Sequence, residues 1–236
     1  MICPKCFRNS YFLTESNGIR AECGKCKFEG KYSEPSYRNY HDSRYSYMRV
    51  RDVENDPLLK KIAESNFIGT DSVVLDYGCG AGDYTNYFSK ITKNVTGADI
   101  NIVKARKRFP KVKFEKVNPA KKSLKFSEAS FDVVIAVNVI EHVHDFENLL
   151  NEFYRILRIN GSIFITTYDA DFILHPIHND PTHVFEWDKN EFVRFVSNKF
   201  CVVKSFSHGS FFNYYPWNKV IVKFLKPEIC ILAIKK

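Results

Sequence analysis

Three glycines fall within five positions just past an acidic strand end. The stretch Val74–Thr85 reads VLDYGCGAGDYT, with Gly78, Gly80 and Gly82 following Asp76. Glycines this dense let a backbone turn through positive φ and let a ligand approach the main chain. Their spacing narrows the ligand. The dinucleotide fingerprint is G-x-G-x-x-G, and Asp83 stands where its third glycine belongs; a P-loop needs a Gly-Lys-Ser/Thr that does not follow. What remains is a glycine turn with a carboxylate before it and a second carboxylate, Asp99, 23 residues further on. A carboxylate in that place can accept two hydroxyl hydrogen bonds at once.

A second chemistry lies in the cysteines. Cys3-x2-Cys6 and Cys23-x2-Cys26 are separated by sixteen residues, the spacing of a four-thiolate structural zinc site, with Pro4 and Gly24 turning the two knuckles. So short a unit has no core of its own, and the metal supplies the stability. Two redox pairs are the alternative, but neither precedes a thioredoxin-like strand–helix–strand pattern. Seven cysteines in total, an odd number, argue for reduced thiols rather than a disulfide framework.

A third group is the histidine-rich run YDADFILHPIHNDPTHVFEWDKNEF, where His175, His178 and His183 lie within nine residues of one another. Pro176 and Pro181 break any regular ligand spacing among them. His183 is a candidate general base with Asp180 holding its loop, and a hydrogen-bonded structural histidine is the competing reading.

The elements that must position these residues alternate strand and helix. Strands are expected at VVLDY, NVTGAD, VKFEKV, FDVVIAV, SIFITTY, FCVVKSF and EICILAI, and helices at GDYTNYFSKI, IVKARKRF and DFENLLNEFYRILRING. In the last of these Phe146, Leu149, Leu150, Phe153, Ile156 and Leu157 fall at helical spacing, and Asn160-Gly161 is expected to end it. Asp188 with Glu191 reads as a capping box opening a further helix. Such alternation implies a parallel sheet covered on both faces, with ligands beyond the carboxyl ends of its strands. A helix-free return would leave the final strand antiparallel. The expected organisation is a zinc ribbon at 1–34, a Tyr/Arg-rich linker and helix at 35–57, and the α/β domain at 58–236.

From about Leu58 onward the chain resembles the class I S-adenosylmethionine-dependent methyltransferases, in the type 11-like group. The resemblance rests on Asp76 with the G-x-G-x-G turn, on Asp99, and on NPAKKSLKFSEASFDVVIAVNVIEHV, in that order. It implies a Rossmann-like seven-stranded sheet, last strand antiparallel, with S-adenosylmethionine held along Asp76, Gly78, Cys79, Gly80, Gly82, Asp99, Ile100, Asn118 and Asn138. Asn118 departs from the pattern, since the family's loop usually carries an acid near its start; an amide still hydrogen-bonds to adenine. The run from Asp180 to Trp187 is similar to a D-x-x-H-x-x-x-F/W segment of members acting on small molecules, lipid precursors or glycans. The ribbon placed before such a domain is similar to the organisation of ribosomal RNA guanine methyltransferases that begin with a zinc unit.

Charge leaves the acceptor open. The net charge is +8, and Asn101–Lys125 holds ten Lys or Arg against Glu115 alone. That field suits RNA or an anionic surface, or is a solvated lysine-rich face. An aromatic and basic insert at 211–224, and tyrosines interleaved with arginines between Tyr37 and Arg51, pose the same choice between a packed lid, a lipid surface and stacked bases. The expectation is an O- or N-methyltransferase for a small-molecule, glycan or lipid-linked acceptor. RNA methylation using the ribbon is the alternative, and a non-catalytic cofactor-binding scaffold is a third. The ribbon could also hold a protein partner. No run approaches the ~18–20 apolar residues of a spanning helix, and the opening MICPKCFRNS carries no apolar targeting stretch, so a cytoplasmic location is expected.

Overall fold

The computed structural model describes residues 11–15, 19–23, 29–31, 53, 56–65, 67–118, 121, 123–171, 183–208 and 228–236, with backbone alone for 11–31. The chain divides into two compact units, Met1–Tyr47 and Met48–Lys236. In the first, strands β1 (Tyr11–Glu15), β2 (Ile19–Cys23) and β3 (Glu29–Lys31) form an antiparallel meander in that order. Cys23 closes β2; Cys3, Cys6 and Cys26 lie outside the described residues, as do the Tyr/Arg-rich stretch from Tyr37 to Arg51, the 211–224 insert and Asp180.

The second unit opens with helix α1 (Pro57–Glu64). Proline at its first turn lacks only an N–H the helix would not have used, and the Asp56 side chain caps the backbone N–H of Leu58 at 2.8 Å. Then come β4 (Val74–Tyr77), α2 (Asp83–Phe88), β5 (Val95–Asp99), α3 (Val103–Arg108), β6 (Lys113–Lys116) and β7 (Phe131–Val137). A 3-10 turn at Ile140–His142 leads to α4 (Phe146–Ile156), β8 (Leu157–Tyr168), α5 (Lys189–Ser197), β9 (Cys201–His208) and β10 (Glu228–Ile234).

The seven strands run β6-β5-β4-β7-β8-β10-β9. Pairing is parallel through β8, and β10 lies antiparallel to both its neighbours, as the sequence leads one to expect. Strands covered on both faces become continuously apolar. Thus every residue of β4 and β5 is buried, including Asp76 and Asp99. Parallel register brings Tyr77 level with Ala98 and Ala136, so the carboxyl ends of β4, β5 and β7 open on one rim. Glu228 pairs with Tyr168, and the start of β10 therefore joins the same rim.

Two local readings meet the structure differently. The capping box is formed, with the Asp188 side chain accepting from Glu191 N–H and Glu191 reaching back; Phe192, Phe195 and Val196 are buried, the two rings against the fully buried Trp187. Burial of that kind contributes about 1.5–3 kcal/mol per large side chain. The long helix, by contrast, ends at Ile156 rather than at Asn160-Gly161. Leu157 already pairs with Phe131, and Asn160 takes φ +62 inside the strand where the register slips. Asn-Gly therefore marks a kink within β8. A Cβ at Gly161 would sit 2.8 Å from the Arg158 carbonyl oxygen, so the strand tolerates nothing larger there.

Candidate active site

The glycine turn is made by backbone. Gly78, Gly80 and Gly82 take φ of +77, +53 and +85, and the N–H groups of Gly78 and Cys79 both donate to the Ala98 carbonyl, binding the turn to β5. A Cβ at Gly78 would lie 2.1 Å from Val139 Cγ2, and that close packing sets the segment after β7 directly against the turn. Asp99 Oδ2 accepts from Gly80 N–H at 2.9 Å and Oδ1 from Asn101 N–H at 3.0 Å, which fixes the carboxylate plane at the strand end. Asp76 is held by the Thr85 hydroxyl at 2.6 Å. Burial, reinforced by the Asp76 and Asp99 carboxylates, pushes the Cys79 thiol far above its ordinary range, so it stays neutral.

Arg108 braces this turn from outside. Its guanidinium forks onto Asp83 at 2.6 and 2.8 Å and also donates to the Ala81 carbonyl at 3.0 Å. Arg106 is likewise engaged, donating to the Phe114 carbonyl at 2.7 Å. Two charges of the basic stretch are therefore spent inside the fold. Asn118, past the end of β6, is exposed and borders a cavity of about 210 Å³ together with Lys116, Lys121 and Leu124. Ile100, half-buried, follows Asp99 along the rim.

Asn138 takes φ +52 immediately after β7. Its amide is locked: Oδ1 accepts from the Thr166 hydroxyl at 2.8 Å, and Nδ2 donates to the buried Glu228 at 3.1 Å. The 3-10 turn that follows carries Glu141 and His142. The Glu141 carbonyl accepts from the N–H groups of Val184 and Phe185, tying the segment at 183–187 to this turn. His183 Nδ1 pairs with Glu186, and its ring packs between His142 and Tyr168, with centroids 4.8 and 5.0 Å away. Glu141 is fully buried and neither carboxylate oxygen has a hydrogen-bond partner among the described residues. Burial raises its carboxyl to about 7, with the field of His183 the largest opposing influence.

Sequence reasoning named His183 but not the residues that hold it. Glu186 stands three positions on, a spacing open to inspection; Glu141 was visible only as part of a Glu-His pair. His175 and His178 lie outside the described residues.

The glycine turn, the two strand-end acids and the β6-β5-β4-β7-β8-β10-β9 order of the sheet define a class: an α/β domain with a glycine turn and two buried carboxylates on one rim of a mixed sheet. The chain belongs to the methyltransferase domain family, which it matches over residues 47–213. The methyl donor that the resemblance of its glycine turn implies is S-adenosylmethionine. An uncharacterized protein of Methanocaldococcus jannaschii, MJ0638, is 30% identical over 154 residues, 65% of each chain. The mitochondrial ubiquinone biosynthesis O-methyltransferase of Rattus norvegicus is 32% identical over 103 residues, 40% of this chain and 30% of that one. The chain thus matches less than two thirds of the length of these relatives. Among solved structures, a chain of the complex between the Haloferax volcanii Trm112 methyltransferase activator and a methyltransferase has a TM-score of 0.67 at 15% identity, covering 86% of this chain and 99% of that one. A Mesorhizobium loti S-adenosylmethionine-dependent methyltransferase reaches 0.63 at 14% identity, covering 78% and 100%. At such identities the likeness is one of fold. Among the described residues no helix is long and apolar enough to cross a membrane.

The donor set fits the cofactor. Asp99 offers acceptors to vicinal hydroxyls, and the buried acids Asp76 and Asp99 favour a sulfonium and an α-ammonium while repelling a pyrophosphate.

Proposed function

We propose that this methyltransferase transfers its methyl group to an oxygen or nitrogen of a small-molecule, glycan or lipid-linked acceptor. In this reading Asp76, Gly78, Cys79, Gly80, Gly82, Asp99, Ile100, Asn118 and Asn138 hold the cofactor, Asp99 at the ribose and Asn118 at the adenine. Bound there, S-adenosylmethionine supplies a methyl group already activated on sulfur. The protein has then to align the acceptor, exclude water and remove a proton when the acceptor is a hydroxyl or an ammonium. His183 is the acceptor-side group that activates the nucleophile, and Asp180 holds its loop. One observation carries the reading: an imidazole oriented by Glu186 stands beside the turn that Val139 presses onto the glycine loop.

The rat relative is named for O-methylation in ubiquinone biosynthesis, which favours an oxygen acceptor on a compact or lipid-linked molecule. The RNA reading draws on the ribbon and the basic stretch, but Arg106 and Arg108 are engaged within the fold. Cys3, Cys6, Cys23 and Cys26 hold one structural zinc ion, and the ribbon it stabilises grips RNA or a protein partner or simply packs against the catalytic domain. Elemental analysis of protein from metal-replete medium should return that equivalent, and its loss on replacing Cys3 and Cys6 checks the ligands.

The acceptor class is tested by supplying labelled methyl donor to separated small-molecule, lipid and RNA fractions of a cell extract. Label is expected in the first or second fraction. His183→Ala should lower turnover by about 10²–10⁴-fold with cofactor affinity unchanged. Label confined to RNA, with affinity falling by several log units per log unit of salt, overturns the reading.

A further inference from the structure

The histidine cluster legible along the chain is not the one the fold assembles. Glu141 and His142 come from the turn after β7, and His183 comes from forty residues later, fastened there by two hydrogen bonds to the Glu141 carbonyl. One carboxylate oxygen of Glu141 and one ring nitrogen from each histidine lie within 4.8 Å of one another. A fully buried carboxylate lacking any hydrogen bond costs several kcal/mol unless a proton or a cation answers it. The neighbours at hand are imidazoles, the Thr167 hydroxyl and the Glu228 carboxylate rather than the ammonium or guanidinium groups that would form a buried ion pair.

The geometry points to a divalent transition-metal site made by Glu141, His142 and His183. It deepens the reading of the acceptor side given above, since it places an ion where the acceptor's nucleophile is expected.

Three features beyond proximity support it. Glu186 pairs with His183 Nδ1, and a carboxylate behind an imidazole is the usual support of a metal-bound histidine. Two imidazoles and one carboxylate suit zinc, iron(II), cobalt(II) or manganese(II), with positions left over for water or substrate. Glu228, buried behind Asn138, and Glu186 add negative charge around the same point, so a dication is better matched there than an anion. Closing on an ion would draw the donors to about 3.5 Å from one another, since each bond is about 2.0–2.2 Å. His142 is half-buried at the end of the turn, with its ring against that of His183. An acceptor oxygen entering an open position would lose its proton to water more readily, because a bound dication lowers the pKa of an oxygen ligand. In that state His183 activates the acceptor as a ligand of the ion.

The test is metal uptake by the full chain in the absence of any acceptor, so that an error in the acceptor class leaves its outcome untouched. Cobalt(II) is added to metal-free protein. Four-thiolate cobalt absorbs strongly in the near ultraviolet through sulfur-to-metal charge transfer; an imidazole–carboxylate site does not. Wild-type protein should take up one equivalent that adds visible absorption without that band, and Glu141→Gln and His183→Ala should not. Glu186→Gln should retain the equivalent with affinity about 10–100-fold weaker. S-adenosylmethionine binding by each variant reports that it is folded. Should a variant fail that control, manganese(II) added to wild-type protein decides instead, by selective broadening of the His142 and His183 ring resonances. Equal uptake by wild type and folded variants, or histidine resonances indifferent to manganese, overturns the site.

Discussion

At the glycine turn the groups that meet a ligand are set by main-chain conformation: three positive φ values, two N–H groups pinned to one carbonyl, and a carboxylate held by backbone donors. At the proposed acceptor side the groups are side chains of the segments 138–142 and 183–186, tied together by two hydrogen bonds to the Glu141 carbonyl, with Asn138 locked between Thr166 and Glu228. A main-chain site is intolerant of any added atom but indifferent to most side-chain changes nearby. A side-chain site behaves in the opposite way. The two halves of one rim should therefore fail differently under mutation.

The sharpest break is Gly78→Ala. The new methyl group would meet Val139 at 2.1 Å and force a left-handed conformation on a β-carbon. We expect cofactor binding to be lost by more than about a hundredfold and stability to fall by at least about 1–2 kcal/mol, measured by calorimetry and thermal unfolding. An unchanged affinity would mean that the turn does not shape the cofactor site. Asp99→Ala comes next. It removes a charged acceptor, so affinity for S-adenosylmethionine should drop about 10–100-fold while cobalt(II) uptake by the proposed imidazole–carboxylate site stays intact. The smallest effect belongs to Arg108→Ala. The guanidinium is partly exposed, so the change should cost no more than about 1 kcal/mol, with severalfold weaker cofactor binding. Arg108→Lys should rescue little of this, because an ammonium cannot span both Asp83 oxygens and the Ala81 carbonyl together.

The cofactor half was open to reading because its signals are local. Glycine spacing, Asp76 and the acid at Asp99 act within about thirty residues of one another, and each residue type has few other reasons to be there. Arg108 was read as one of many surface cations, since nothing in a charge run tells which member will reach back to Asp83. The end of the long helix was misplaced because Asn-Gly serves both as a helix stop and as a kink within a strand; pairing of Leu157 with Phe131, invisible locally, decided it. Glu141 was legible as a residue but not as a buried carboxyl group, since only the packing of β8, α4 and the segment 183–187 against its turn removes its water. The capping box at Asp188 could be read because all of its atoms belong to four consecutive residues.

The hydrogen bond from Asn138 to Glu228 joins residues 90 positions apart, whereas Thr85 to Asp76 spans 9 and Gly80 to Asp99 spans 19. Loop-closure entropy grows with the length of chain to be gathered, and long-range pairings are the late events of folding. The two halves of the rim are thus built on different clocks. The glycine turn with Asp76, Thr85 and Asp99 can be in place while β10 is still unpaired, and cofactor bound to it at that stage stabilises a partly folded protein by mass action. S-adenosylmethionine should accordingly speed the refolding of this chain as well as raise its melting temperature.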